Sequence, residues 1–315
     1  MSVNLSEQAL FDELEQLAAQ NPDAGEMTLE KFRQMGEMFL QYAGAATDVP
    51  YENTTVPARD GYDIPIRIYN PHLDASKPVL IMYPGCGYVL DLFESNAIAA
   101  SRVAKYGDCK VILVNFRLCP EVTMPKPVED AFDATQFIGL HPEQFAIDPA
   151  QIYIGGMSSG AHAAANVALF LRGETRFTVR HQILVNGAYD LTQSHTAYKA
   201  YELKDKICQR GEGIDFMWEQ YGVTTAELAD PIMSPIFTKD VSGLPATTFL
   251  IAEYDGVRSD SEAFYELLAS QNDEVYKIVL QGQTHNTILM RGVMSDGEDP
   301  ALTMARVINS SEALD

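Results

Sequence analysis

Residues 151–166 read Gln-Ile-Tyr-Ile-Gly-Gly-Met-Ser-Ser-Gly-Ala-His-Ala-Ala-Ala-Asn. A β-branched and aromatic run, Ile152, Tyr153 and Ile154, leads into Gly156-Met157-Ser158-Ser159-Gly160, and an alanine-rich stretch of good helix formers follows. A strand passes into a helix this abruptly only through a very tight turn. The two glycines allow it, because a Cβ at either place would meet neighbouring backbone. Ser158 then stands on strained backbone above the end of a sheet, and the first N–H groups of the helix point at whatever its hydroxyl meets. A G-x-S-x-G also arises by chance. The rest of the chain must therefore supply a sheet and, for a nucleophilic serine, a histidine, an acid and an oxyanion hole.

The sheet is legible. Asp60-Gly61 between the β-type runs Thr54–Arg59 and Ile64–Tyr69 signals a hairpin, and Pro65 points to an edge position. Strands are then expected at Val79–Tyr83, Val111–Asn115, Ile152–Ile154, Gln182–Val185, Thr248–Ala252 and Tyr276–Leu280. Helices are expected at Ser95–Tyr106, Pro127–Leu140, Ser159–Leu171, Ser259–Gln271 and Pro300–Ile308. Short apolar strands alternating with helices predict an α/β fold whose mostly parallel sheet is flanked by helices on both faces. The hairpin adds antiparallel strands at one edge.

Two regions lie outside this rhythm. Two amphipathic helices are expected ahead of the first strand: Asn4–Gln20, with a stripe of Leu10, Phe11, Leu14, Leu17 and Ala18, and one from Thr28 with Leu29, Phe32, Met35, Phe39 and Tyr42. Their stripes pack on the core, meet a second copy in a homodimer, or form part of a lid. Between Val185 and Thr248 lie far more residues than a βα crossover needs. That interval, with Tyr198, Tyr201, Phe216, Met217, Trp218 and Tyr221, is expected to be an inserted helical cap at the carboxyl edge of the sheet. Most of its aromatics suit a small core of their own. Trp218, with Tyr88 from the loop after an early strand, is a candidate substrate contact.

Composition excludes some functions. The net charge of −22 repels duplex DNA and anionic membranes, so neither nucleic acid nor a membrane is an expected partner. The four cysteines, Cys86, Cys109, Cys119 and Cys208, form no C-x-x-C, and no structural zinc or other cofactor is expected. The absence of Lys and Arg before Lys31, and of a long apolar run, leads to the expectation of a cytoplasmic protein with reduced thiols.

A serine hydroxyl needs a base within hydrogen-bond reach and a third group to orient that base. His72 and His141 sit beside prolines, His181 starts a strand, His162 points sideways from the turn, and His195 lies in the insertion. His285 follows the last strand in Leu280-Gln-Gly-Gln-Thr-His-Asn, where a base would face Ser158. The acid should end a strand between them; Asp255 does, with Glu253 and Asp260 as rivals. An oxyanion hole takes one N–H from Ser159 and another from the glycine-rich loop Tyr83-Pro84-Gly85-Cys86-Gly87-Tyr88.

From about Val79 to His285 the chain resembles the hormone-sensitive lipase family of α/β-hydrolases, its bacterial esterases in particular. Pro84-Gly85-Cys86-Gly87 stands where that family has His-Gly-Gly-Gly, and Asn115-Phe-Arg-Leu-Cys-Pro-Glu121 where it has Asp-Tyr-Arg-Leu-Ala-Pro-Glu. Gly156-Met-Ser-Ser-Gly160 matches its Gly-Asp-Ser-Ala-Gly turn, Asp255-Gly-Val-Arg-Ser-Asp260 its Asp-Pro-Leu-x-Asp motif with a shift in detail, and Asp230-Pro-Ile-Met-Ser-Pro235 the close of its cap. The resemblance implies an α/β-hydrolase fold with a helical cap, built jointly by N-terminal helices in residues 1–50 and an insertion at 191–235. The core would then be residues 51–190 and 236–315. It further implies Ser158 as nucleophile, His285 as base, Asp255 as its orienter, and the N–H groups of Cys86, Gly87 and Ser159 as the hole. The implied activity is a serine carboxylesterase acting on small-molecule esters of short acyl chains. Pro84, Cys86 and Met157 depart from the family pattern. Ser159-Gly-Ala-His162 is also similar to the turn of kynurenine formamidases, which leaves an arylformamidase-like amidase as an alternative. A non-catalytic small-molecule binder on the same fold, as in plant gibberellin receptors, is another.

Overall fold

The computed structural model describes residues 27–192, 212–294 and 297–310, together with Ala9, Asp12 and Gln16. In chain order its elements are α1 (Leu29–Tyr42), β1 (Tyr51–Pro57), β2 (Asp63–Tyr69), β3 (Val79–Tyr83), α2 (Phe93–Tyr106), β4 (Lys110–Val114), α3 (Lys126–Leu140) and α4 (Pro142–Phe145). They continue with β5 (Ile152–Met157), α5 (Ser159–Phe170), β6 (Val179–Val185), α6 (Glu212–Glu219), β7 (Ala246–Tyr254), α7 (Arg258–Ala269), β8 (Val275–Thr284) and α8 (Pro300–Asn309). Of the helix expected at Asn4–Gln20 only Ala9, Asp12 and Gln16 are described, each in helical conformation; His195, Tyr198, Tyr201 and Cys208 of the insertion lie outside the described residues.

One eight-stranded sheet runs β1-β2-β4-β3-β5-β6-β7-β8. The pairs β1–β2 and β2–β4 are antiparallel and all others parallel. Every residue of β3, β4 and β5 is buried, which is why those segments read as unbroken apolar runs.

The edge strand is β1; Pro65, expected at an edge, lies on β2 between two neighbours. Its carbonyl accepts the Asn115 N–H at 2.9 Å. Since N–H and C=O of a strand residue point the same way, the donor that proline lacks faces β4. The pair Pro65–Asn115 therefore makes one of its two possible bonds, and the ladder ends there, just beyond Ile66↔Val114.

Thr28 caps α1, its hydroxyl accepting the Lys31 N–H at 3.3 Å. Phe32 of this helix is buried, and its ring packs 5.4 Å from Phe216 of α6. The N-terminal segment and the long insertion thus meet each other. Arg33 fixes the same helix to the core, with a bidentate pair to Glu121 at 2.7 Å and donations to Val89 O and Cys119 O. Among the described residues no helix is long and apolar enough to cross a membrane.

Candidate active site

The carboxyl ends of β5, β7 and β8 meet at one place. Ser158 follows β5 directly at φ 52, ψ −119, a conformation that L-residues rarely hold. The surroundings enforce it: Ser158 N–H is tied to Val185 O at 2.8 Å, and α5 begins at the next residue. A Cβ on Gly156 would lie 2.4 Å from Tyr83 O, and one on Gly160 2.1 Å from the same oxygen. Both glycines are therefore required by the close approach of β3.

His285 arrives from β8. Its Nε2 lies 2.9 Å from Ser158 Oγ, and its Nδ1 lies 2.8 Å from Asp255 Oδ2. Asp255 is buried, and its other oxygen accepts the Val257 N–H at 2.9 Å. Burial pulls the imidazole down from its ordinary 6.5, but the charge of Asp255 and the hydrogen bond to it outweigh this, so the pKa of His285 is raised. The rivals are placed elsewhere. Glu253 accepts the Gly282 N–H at 2.8 Å. Asp260 is buried and accepts the N–H groups of Tyr189 and Asp190 at 2.7 and 3.1 Å; burial pushes its carboxyl up to about 7. Of the other described histidines, His162 and His181 are pushed down to about 4 by burial, with Nε2 against Met233 O and Thr248 Oγ1 respectively. His141 stacks on Phe137, and His72 lies 3.5 Å from Glu52 on the surface.

The glycine-rich loop comes over the serine from β3. Gly87 has φ +54, and α6 packs so closely that a Cβ there would meet Met217 Sδ at 2.0 Å. Tyr221 donates its hydroxyl to Gly87 O at 3.1 Å. Gly87 N–H and Ser159 N–H carry no partner among the described residues. Cys86 N–H does: it donates to Ser159 Oγ at 2.9 Å. The Cys86 thiol is buried and pushed up to about 12 by that burial, so it stays protonated.

The two expected substrate contacts fare differently. Tyr88 is enclosed behind the loop at 1% exposure, with its hydroxyl donating to Ser159 O at 2.9 Å and lying 2.6 Å from His162 Nδ1. It supports the loop from beneath rather than facing a ligand. Trp218 is partly buried on α6, one residue beyond Met217, the side chain that reaches Gly87.

Sequence reasoning passed over Asn186, Asn96 and Met217. Asn186, at φ 48, donates to His285 O at 2.9 Å and accepts the Ala252 N–H at 2.8 Å, so one side chain joins β7 to the histidine loop. A positive-φ asparagine just after a strand was the available signal. Asn96, on α2, bonds Gly85 11 residues before it, and Met217 meets Gly87 from a distant segment; neither contact leaves a recognisable sequence pattern.

A family model described as the alpha/beta hydrolase fold matches residues 80–289. The chain belongs to this family. The resemblance to the hormone-sensitive lipase group is thereby borne out. This hydrolase is 24% identical over 275 residues to the ethyl acetate hydrolase of Pseudomonas putida, covering 86% of each chain. It is 28% identical over 215 residues to an arylesterase of Saccharolobus solfataricus, covering 67% of this chain and 69% of the relative. The structure of a hyperthermophilic esterase from the archaeon Pyrobaculum calidifontis superposes with a TM-score of 0.85 at 27% identity, over 98% of both chains.

Proposed function

We propose that this hydrolase is a serine carboxylesterase for small esters of short acyl chains, working through an acyl-enzyme. The observation that carries the proposal is the unbroken chain of contacts from Ser158 Oγ through His285 to buried Asp255, at 2.9 and 2.8 Å. Ser158 Oγ attacks the ester carbonyl while His285 Nε2 takes its proton. The carbonyl oxygen becomes an oxyanion facing the N–H groups of Gly87 and Ser159, which have no partner among the described residues. Asp255 holds Nδ1 protonated and stabilises the imidazolium. As the C–O bond to the alcohol breaks, His285 gives its proton to the departing oxygen, leaving the acyl group on Ser158. Water then repeats the sequence, and the carboxylic acid leaves.

The preference for short acyl chains is supported by Met217, whose sulfur packs against Gly87 and brings α6 down onto the loop. The naming of relatives as esterases supports ester hydrolysis over the arylformamidase-like alternative. A full Ser–His–Asp contact chain speaks against a binder that has lost its base. A p-nitrophenyl ester series from acetate to palmitate, with formylkynurenine alongside, tests the reading. Highest kcat/KM is expected at acetate or butyrate; a maximum on formylkynurenine or on palmitate would overturn it.

The raised pKa of His285 sets the pH dependence. The base must be neutral, so kcat/KM should climb with pH through a midpoint above about 6.5. Asp255→Asn removes the charge that holds the imidazole up and leaves burial to dominate. The acid limb should then move to lower pH while the plateau falls about 10⁴-fold. A pH–rate profile of both forms checks this. An acid limb unmoved by Asp255→Asn would mean that another group titrates.

A further inference from the structure

Side chains hold several backbone groups of the glycine-rich loop next to Ser158. Gly85 N–H donates to Asn96 Oδ1 at 2.9 Å, and Gly85 O accepts from Asn96 Nδ2 at 3.2 Å. Gly87 O accepts from Tyr221. Cys86 N–H donates to Ser159 Oγ at 2.9 Å, and that hydroxyl faces Pro84 O at 3.3 Å. The Cys86 amide is one that the family resemblance assigns to the oxyanion hole, and the turn of that family has alanine where this chain has Ser159. Alanine offers an N–H no acceptor; a serine hydroxyl offers two lone pairs.

We propose that the hydroxyl of Ser159 occupies one donor of the oxyanion hole and so sets the rate of this enzyme. The inference rests on the esterase reading and deepens it. Cys86 and Ser159 are both buried, which shields this bond from bulk water. The bond is made in the ground state. For the oxyanion to recruit the Cys86 N–H, the bond to Ser159 Oγ must break or be shared, and a shared N–H gives each acceptor a weaker bond. Transition-state stabilisation falls without any loss of substrate binding, which lowers kcat and leaves KM alone. Gly87 N–H and Ser159 N–H remain as the two donors without a partner among the described residues.

The test is Ser159→Ala, with Ser159→Gly as a second variant lacking the hydroxyl, assayed on p-nitrophenyl acetate after thermal melts show both folded. A donor lost from such a hole costs about 10²–10³ in rate, so recovering a compromised one should raise kcat about tenfold or more. KM should stay within about twofold, and an aryl trifluoromethyl ketone, which forms a hemiketal oxyanion on a serine, should bind tighter by the factor gained in kcat. A purely structural hydroxyl would not produce that paired gain. If wild type hydrolyses the ester in a Ser158-dependent way and neither variant gains, this inference alone is overturned. A wild type without ester hydrolysis would overturn the esterase reading, and the inference with it.

Discussion

Alanine at Ser158 or at His285 is expected to lower kcat for ester hydrolysis by about 10⁴-fold or more. Ser158→Ala should leave the fold and the melting temperature unchanged, whereas His285→Ala leaves buried Asp255 unpaired and should lower the melting temperature. In measured triads either loss costs nearly as much as losing all three members, because nucleophile and base act as one unit. Here the unit is explicit, with Nε2 of His285 2.9 Å from Ser158 Oγ. Ser158 is half-buried at the end of β5 and its side chain holds up no other element, so its removal should leave the core intact. The double variant should be barely worse than either single one. A rate within tenfold of wild type in either variant would remove that residue from the mechanism, and additive losses in the double variant would separate the two into independent roles.

Alanine at Gly160 should damage both stability and activity. Helix propensity alone would favour it by about 1 kcal/mol, since Gly160 lies in the first turn of α5. Sterics decide the other way. The new Cβ would lie 2.1 Å from Tyr83 O and 3.1 Å from the carbonyl carbon of Pro84. Those atoms belong to β3 and the start of the oxyanion loop, and β3 is hydrogen-bonded on both sides by β4 and β5, so it cannot give way. Overpacking of this kind costs about 1–3 kcal/mol. The displacement falls on the loop that carries the Gly87 N–H, so activity should fall as well. Thermal melting and kcat measured on Gly160→Ala check both: a drop of several degrees and about 10²-fold in rate are expected. A melting temperature at or above wild type would show that β3 yields.

The elements that position Ser158, Asp255 and His285 were legible for definite reasons. A strand of Ile and Tyr, a turn that only glycine permits, and an alanine-rich helix each leave a local trace. Asp255 and His285 could be reached because each sits just after a strand, and parallel strands deliver their carboxyl ends to one edge. Pro65 misled because a proline is tolerated inside a sheet in the last pair of a ladder, where only one bond is missing, and where β4 ends carries no mark in the sequence around Pro65. Tyr88 looked like a ligand contact because it follows a glycine-rich loop, yet its φ of 59 turns it inward onto His162 and Ser159. The bond from Cys86 N–H to Ser159 Oγ joins residues 73 apart, and neither carries any mark of it. Contacts of that kind follow from three-dimensional packing alone.

The central claim is that one hydroxyl, at Ser158, is made reactive by His285. Fluorophosphonates phosphonylate a serine only when a base removes its proton and a hole receives the oxyanion, so the adduct reports the activated atom itself. Treatment of the whole protein, followed by digestion and peptide mass spectrometry, should place one adduct on Ser158, abolish ester hydrolysis in proportion to labelling, and give no adduct in His285→Ala. A stoichiometric adduct on another residue, or full hydrolytic activity in unlabelled protein after exhaustive treatment, would contradict it.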